Sequence, residues 1–324
     1  MLNIAIIGIG NIALLFDTNK KEKNTIASHI KAIYFHDEFT LKYVSDIDNR
    51  NLPQIQKFFP DVNFTQDYRT LVEKKDIDIL VICTPTHTHY NILKDFKSSR
   101  NIQLFFMEKP LFHTAYEYKC IDNYFKDKIV VNYLRRFDLE IQKLKLKIQD
   151  KEFDHVQKIM IKYCKGIKNN GSHMIDMINF LFDKPEIIST NILAKTEGFS
   201  ENDLTYDIQV IVKYDNQNIP IYFIGLNHNY YNTIEIELFF QTQIIKYINS
   251  KAQIQYFDIV NDKVYPTYKV LSNNPDIKYT SSTLMLDAYQ HIFRIIKYNE
   301  TNISSFKDEK YNIQFLNKIL EGTI

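Results

Sequence analysis

MLNIAIIGIGNIALLF, residues 1–16, decides the fold. Within it Asn3 to Ile7 is an unbroken β-branched and apolar run, the pattern of a parallel strand covered on both faces, and it leads directly into Gly8-Ile9-Gly10. The segment is apolar enough to be mistaken for a leader or a membrane span. It lacks a basic start and a small-residue cleavage site, and it is shorter than the ~20 apolar residues a span needs. A buried first strand explains it, and no other segment reaches membrane length.

Working outward, Ala27 to Tyr34 has helical spacing after a polar insertion at Asp17 to Thr25, and Phe39 to Ser45 reads as a second strand. Short helices follow at Gln54 to Phe59 and Thr70 to Lys74. Ile77 to Cys83 and Gln103 to Met107 read as strands, alternating with helices at His89 to Lys97 and Ala115 to Phe125. Strands and helices alternating at this pace predict a doubly wound parallel sheet. The rhythm then changes. After a strand at Ile129 to Tyr133 and helices at Leu139 to Ile148 and Ser172 to Phe182, segments such as Val156 to Cys164, Asp207 to Tyr214 and Ile234 to Phe240 follow with short turns. They predict a large, mostly antiparallel open sheet, closed by helices at Leu284 to Tyr298 and Tyr311 to Leu320. The fold class is α/β, with an N-terminal Rossmann-type domain over 1–125 and an α+β substrate-binding and oligomerisation domain over 126–324, whose last helices are free to pack back on the first.

A chain of 324 residues suits two cores, and 45% hydrophobic with 24% charged residues is an ordinary globular balance. The net charge of +1 supplies no field for a nucleic-acid backbone or an anionic membrane. Cys83, Cys120 and Cys164 are far apart and form no CxxC pair, which argues against a disulfide framework or zinc ribbon and suits a reducing cytoplasm. No clustered His, Cys or carboxylate spacing suggests a metal.

Gly8, Gly10 and Ala13 occupy the GxGxxG/A positions after the first strand, with Asn11 and Ile12 opening an expected helix. The first glycine permits the tight turn, the second lets backbone approach a pyrophosphate, and the small third residue lets helix and strand pack closely. This turn uses two of the seven glycines of the chain. Asp46, at the end of the second strand in KYVSDID, is placed to hold the adenosine ribose hydroxyls, with Asp48 as the fallback. A carboxylate there repels a 2′-phosphate, so NAD is favoured over NADP as cofactor.

Four pieces in order, GIGNIA at 8–13, CTPTHTHY at 83–90, MEKPL at 107–111 and NNGSHMID at 169–176, resemble the Gfo/Idh/MocA (glucose-fructose oxidoreductase, inositol dehydrogenase) family over most of the chain. The resemblance implies a cytoplasmic oxidoreductase moving hydride between a nicotinamide and a ring carbon of a sugar, cyclitol or nucleotide-linked sugar. It also implies a homodimer or homotetramer built on the C-terminal sheet. Thr84, Pro85, His87, His89 and Glu108 would lie on the cofactor side. Lys109 would point its ammonium at the reacting hydroxyl and the nicotinamide, on the cofactor side as well, and His173 would be the general acid/base, because imidazole titrates near neutral pH. Pro110 is expected to follow a cis bond. Asp176, three residues past His173, shares its helix face.

Relatives of this kind usually carry an aspartate four residues before the histidine. Here it is Asn169, which can bind a sugar hydroxyl but cannot carry a proton. The NxGSH form resembles a subgroup associated with surface-polysaccharide and nonulosonate sugar gene clusters. Tyr133, Arg135 and Arg136 in NYLRRFD are further candidates, since a guanidinium could clamp a carboxylate or phosphate of the substrate. Lys165 and Lys168 would extend the same positive rim, and Tyr163 reads as sheet packing. The contrary expectation from Asn169 is a sensor or scaffold that keeps the fold and has lost turnover.

Overall fold

The computed structural model describes residues 1–200 and 202–321, apart from the Phe199 side chain. The chain divides into two compact units, one made of Met1–Phe137 with Ser282–Lys310, the other of Asp138–Ser281 with the chain from Tyr311 onward. The first unit therefore extends past residue 125 and takes back a segment from near the end of the chain.

In the first unit β1 (Leu2–Ile7) is followed by α1 (His29–Tyr34), β2 (Phe39–Ser45), α2 (Leu52–Gln56), β3 (Asn63–Thr65), β4 (Ile79–Ile82), α3 (Thr86–Asp95), β5 (Leu104–Met107), α4 (Ala115–Cys120), α5 (Asn123–Lys126) and β6 (Ile129–Val131). The six strands form one parallel sheet in the order β3-β2-β1-β4-β5-β6. Strand order reverses between β1 and β4, the point in open α/β sheets where ligands gather at the carboxyl ends. Ile4, Ile6, Ile79, Val81, Leu104 and Phe106 are at most 2% exposed. Fully burying such a side chain contributes about 1.5–3 kcal/mol, so the apolar runs read from the sequence are the interior of this unit.

Two expectations change here. No full helix follows the glycine turn: Asn11–Leu15 makes a single wide turn, and the chain then runs irregularly to the Ser28 cap of α1. The polar insertion is not a surface flourish, because Lys31, 0% exposed, reaches out of α1 to Asp17 (2.7 and 2.8 Å) and to the Thr25 carbonyl (2.7 Å). The helix expected over Ala115 to Phe125 is split at Ile121, which is extended, and Asp122 caps the second piece through the Tyr124 N–H.

The second unit contains α6 (Leu139–Gln149), β7 (Val156–Tyr163), α7 (Ser172–Leu181), β8 (Glu186–Ser200), β9 (Asp203–Tyr214), β10 (Gln217–Gly225), β11 (Ile234–Phe240), β12 (Gln243–Ile248), β13 (Gln253–Asn261), β14 (Lys269–Leu271) and β15 (Asp276–Tyr279). Their sheet runs β14-β13-β12-β11-β7-β10-β9-β8, with β15 beside β13, and is antiparallel except where β7 meets β10. Alternation sorts its faces: Ile234, Ile236, Leu238 and Phe240 of β11 are buried, while Glu235, Glu237 and Phe239 are half-buried. The polar face carries a charge ladder in which Lys162 lies 3.3 Å from Glu235 and 3.1 Å from Glu237, and Lys246 lies 3.2 Å from Glu237.

The chain returns to the first unit with α8 (Leu284–Tyr298), and α9 (Phe306–Glu321) starts there and ends in the second. Met285, Ala288, Tyr289 and Ile292 of α8 join the core that holds β1, β4 and β5. Among the described residues no helix is long and apolar enough to cross a membrane.

Candidate functional site

The carboxyl ends of β1, β2 and β4 open onto a cavity of about 940 Å³ in the first unit. Its wall brings together Gly8, Gly10, Asn11 and Ile12 with Asp46, Thr84, Pro85 and His87, residues from three separate stretches of sequence. Ile47, Gln66, Tyr68 and Arg69 line it as well.

Gly8 adopts φ +89°, and a Cβ there would stand 2.8 Å from the Cys83 carbonyl carbon and the Thr84 nitrogen. The β1 turn and the end of β4 thus touch through bare backbone. A Cβ on Gly10 would meet nothing within 4 Å, so its missing side chain leaves open space where the cavity is. Ala13 is fully buried beneath the turn. The first internal bond of the turn runs from Leu14 N–H to Gly10 O (3.0 Å), leaving the N–H groups of Asn11 to Ala13 ahead of it. Asp46 stands beside them: its Oδ2 accepts the Ile9 N–H at 2.8 Å and its Oδ1 the Asp48 N–H at 3.1 Å. A bare backbone turn, with a carboxylate at the next strand end, fits a dinucleotide's pyrophosphate and ribose.

His89 differs from its expected neighbours. It is fully buried, with Nδ1 3.0 Å from the Leu111 carbonyl and Nε2 2.8 Å from the Thr84 carbonyl, so it ties two strand-end loops together from beneath. Burial lowers its pKa, against the pull of both carbonyls.

At the end of β5, Glu108, Lys109 and Pro110 are half-buried, and the Lys109–Pro110 bond is cis. Glu108 Oε1 accepts from Asn132 Nδ2 (2.6 Å) and lies 2.9 Å from His29 Nε2, while His29 Nδ1 lies 2.9 Å from the Tyr289 hydroxyl. Burial raises the Glu108 pKa, but His29, Asn132 and the nearby Lys109 charge outweigh it and hold the carboxyl below its ordinary value. The same burial, together with Glu108, pushes the Cys83 thiol well up. Beyond Pro110 the Leu111 N–H donates to Glu309 Oε1 at 3.0 Å, so the Lys109 turn is fixed on both sides. Sequence reasoning missed His29, Asn132, Tyr289 and Glu309; only a fold shows that they meet the EKP turn.

Tyr133 and Arg136 are each 2% exposed. Arg136 Nη1 donates to the Ile303 carbonyl (2.7 Å) and lies 3.4 Å from Asp308. Arg135 is half-buried.

In the second unit α7 buries nine of its ten residues, and His173 is the tenth. The turn before it is held from β9. Asp203 accepts the Lys168 N–H (2.8 Å) and the Asn169 N–H (2.9 Å), and Thr205 Oγ1 accepts the Gly166 N–H (3.0 Å). The Asn169 carbonyl in turn accepts from Ser172 Oγ at 2.8 Å. Lys165 is half-buried and left-handed at φ 62°, while Lys168 is exposed. Asp176 is 2% exposed and accepts from Asn312 Nδ2 at 2.6 Å. Tyr163 packs in the sheet as expected, its hydroxyl donating to the Tyr206 carbonyl at 2.9 Å.

A parallel sheet reversing at β1/β4, with a glycine turn and a strand-end aspartate on one cavity, is the arrangement of a dinucleotide-binding domain. Residues 2–133 match the model of the oxidoreductase family with an NAD-binding Rossmann fold, GFO_IDH_MocA. The chain is similar to the scyllo-inositol 2-dehydrogenase (NADP+) IolW of Bacillus subtilis, at 21% identity over 48% of this chain and 49% of the relative. It is also similar to the inositol 2-dehydrogenase of Rhizobium meliloti, at 33% identity over 37% of this chain and 41% of the relative. The matched part thus spans about half or less of these relatives' length. The likeness of fold runs further: the dehydrogenase MviM of Clostridium difficile superposes with TM-score 0.71 over 99% of both chains at 15% identity.

Proposed function

We propose that this protein is a nicotinamide-dependent oxidoreductase acting on a ring carbon of a cyclitol, sugar or nucleotide-linked sugar. The observation that carries this is the 940 Å³ cavity on which the Gly8–Gly10 turn, Asp46 and Thr84 meet. The family match over residues 2–133 and the two inositol dehydrogenase relatives support it. NAD is the preferred coenzyme on this reading, because a 2′-phosphate beside the Asp46 carboxylate meets like charge. Arg69 on the same cavity does not reverse this, since it lies 3.5 Å from Asp67 and 3.4 Å from Asp95.

The bound nicotinamide supplies hydride transfer at its C4 carbon. The chain supplies the rest. The glycine turn seats the phosphates, and Asp46 selects the ribose. The Lys109 ammonium stabilises alkoxide character on the reacting oxygen. His173 takes the hydroxyl proton in oxidation and returns it in reduction. Asn169 binds a hydroxyl without carrying a proton, so the proton rests with His173. The NNGSH form places polysaccharide sugars among the substrates to be screened.

Paired fluorescence titrations with NADH and NADPH, on the native protein and on Asp46→Ala, test the coenzyme assignment. The expected result is tighter NADH binding that the substitution weakens by about tenfold. Binding of neither coenzyme by the folded protein overturns the reading. A panel of cyclitols, sugars and nucleotide sugars, followed by NADH formation with Lys109→Ala and His173→Ala alongside, then separates an enzyme from a coenzyme sensor. Both variants should retain coenzyme binding, and only an enzyme has turnover to lose.

A further inference from the structure

One buried group of titratable side chains in the first unit takes no part in the chemistry just described: Tyr289, His29 and Glu108. Tyr289 is 0% and His29 1% exposed, and the Glu108 side chain is 15% exposed. A carboxylate only accepts, so His29 Nε2, 2.9 Å from Glu108 Oε1, carries an N–H; in the neutral ring Nδ1 then accepts from the Tyr289 hydroxyl at 2.9 Å. Asn132 Nδ2 donates to the same Oε1 at 2.6 Å, so both side-chain donors fall on one oxygen.

The position of this carboxylate along the sheet matters. Asp46 ends β2, on one side of the β1/β4 switch point, and Glu108 follows β5, on the other. The Glu108 N–H donates to the Ile82 carbonyl at the end of β4 (3.1 Å), one residue before the cavity-lining Cys83. A dinucleotide lying across a switch point with its adenosine ribose at Asp46 extends its nicotinamide half toward β4 and β5. The nicotinamide ring is a cation when oxidised and neutral when reduced, so a fixed negative charge at that end distinguishes the two.

We propose that the Tyr289–His29–Glu108 relay is a positioning device that holds one carboxylate charge at the β4/β5 end of the cavity, and so biases the site toward the oxidised coenzyme. The inference rests on the coenzyme reading and goes beyond it: Asp46 and the glycine turn decide whether a dinucleotide binds, whereas the relay decides which redox state binds better. At an effective dielectric of about 20, one charge is worth roughly a tenfold affinity ratio out to about 12 Å. Lys109, next in sequence, contributes a positive charge that the variants below leave in place.

The test is the ratio of dissociation constants for NAD+ and NADH, by calorimetry and fluorescence, in the native protein and in Glu108→Gln, Tyr289→Phe and His29→Gln. Glu108→Gln keeps shape and removes charge, and it should weaken NAD+ relative to NADH by about tenfold. Tyr289→Phe leaves Glu108 charged but loosens its support, and should move the ratio the same way by less; it serves if Glu108→Gln fails to fold. His29→Gln should fall between them. An unchanged ratio in Glu108→Gln, or in Tyr289→Phe if that alone folds, with both coenzymes still bound, overturns the relay and leaves the coenzyme assignment intact. Native protein that binds neither coenzyme overturns both.

Discussion

The Asp46 carboxylate at the end of β2 accepts the Ile9 N–H of the glycine turn at 2.8 Å. One side chain therefore shapes the turn and faces the cavity that the turn lines. Ile9 is 1% exposed, so the bond is shielded from water on the donor side. Replacing Asp46 by Ala should cost about 1–3 kcal/mol of stability in the absence of any coenzyme, measurable by urea unfolding. Asp46→Asn, which keeps an acceptor for Ile9 but removes the charge, should lose less stability while still relaxing discrimination against NADPH.

Gly166 sits at φ +80°, and a Cβ on it would overlap the Asp203 carboxylate. That carboxylate holds the Lys168 and Asn169 N–H groups. Gly166→Ala should destabilise the second unit by roughly 1–3 kcal/mol and speed amide exchange over residues 166–171. Asp203→Ala should speed exchange over the same residues. If the two variants affect different segments, the anchor is misassigned.

The pair Lys31–Asp17 is the interior tie of the insertion that follows the glycine turn, with Lys31 0% and Asp17 9% exposed. Breaking such a pair from one side leaves a charge without compensation. Lys31→Met should cost about 3–5 kcal/mol, and Asp17→Leu added to it should recover part of that loss. Thermal melts of the single and double variants distinguish this from a surface pair, whose removal would cost under about 1 kcal/mol.

His291 is 1% exposed on α8, with Nδ1 3.1 Å from Glu300 and Nε2 accepting the Ile303 N–H at 3.4 Å. Burial lowers its pKa, outweighing the Glu300 charge that raises it. The native state thus prefers the neutral ring. Its contribution to stability is complete above the unfolded value of about 6.5 and is lost as pH falls through the lower folded value. Denaturant unfolding from pH 8 down to 5 should show this loss, and His291→Gln should flatten the curve.

The first unit was legible in the sequence because its physics is local. A continuous apolar run followed by two glycines announces β1 and its turn, and Asp46 and CTPTHTHY place two other walls of the cavity. Relations that join distant residues left no such mark. Tyr289 and His29 are 260 positions apart, and neither lies in a pattern that names a partner. The Gln253–Asn261 strand escaped reading because polar Gln residues interrupt its apolar ones, and nothing in NYLRRFD announces that Arg136 meets Asp308 and the Ile303 carbonyl. Helical spacing puts Asp176 on the His173 face, but nothing near it in sequence announces its bond to Asn312, 136 residues away.

The return of α8 to the first unit sets an order of events during synthesis. A chain made through residue 137 contains all six strands of the sheet, but not the helix whose Met285, Ala288, Tyr289 and Ile292 complete their core. The nascent chain must keep that apolar face covered while some 144 further residues, those of the second unit up to Ser281, emerge. The part of the protein that is encoded first is therefore among the last to finish folding.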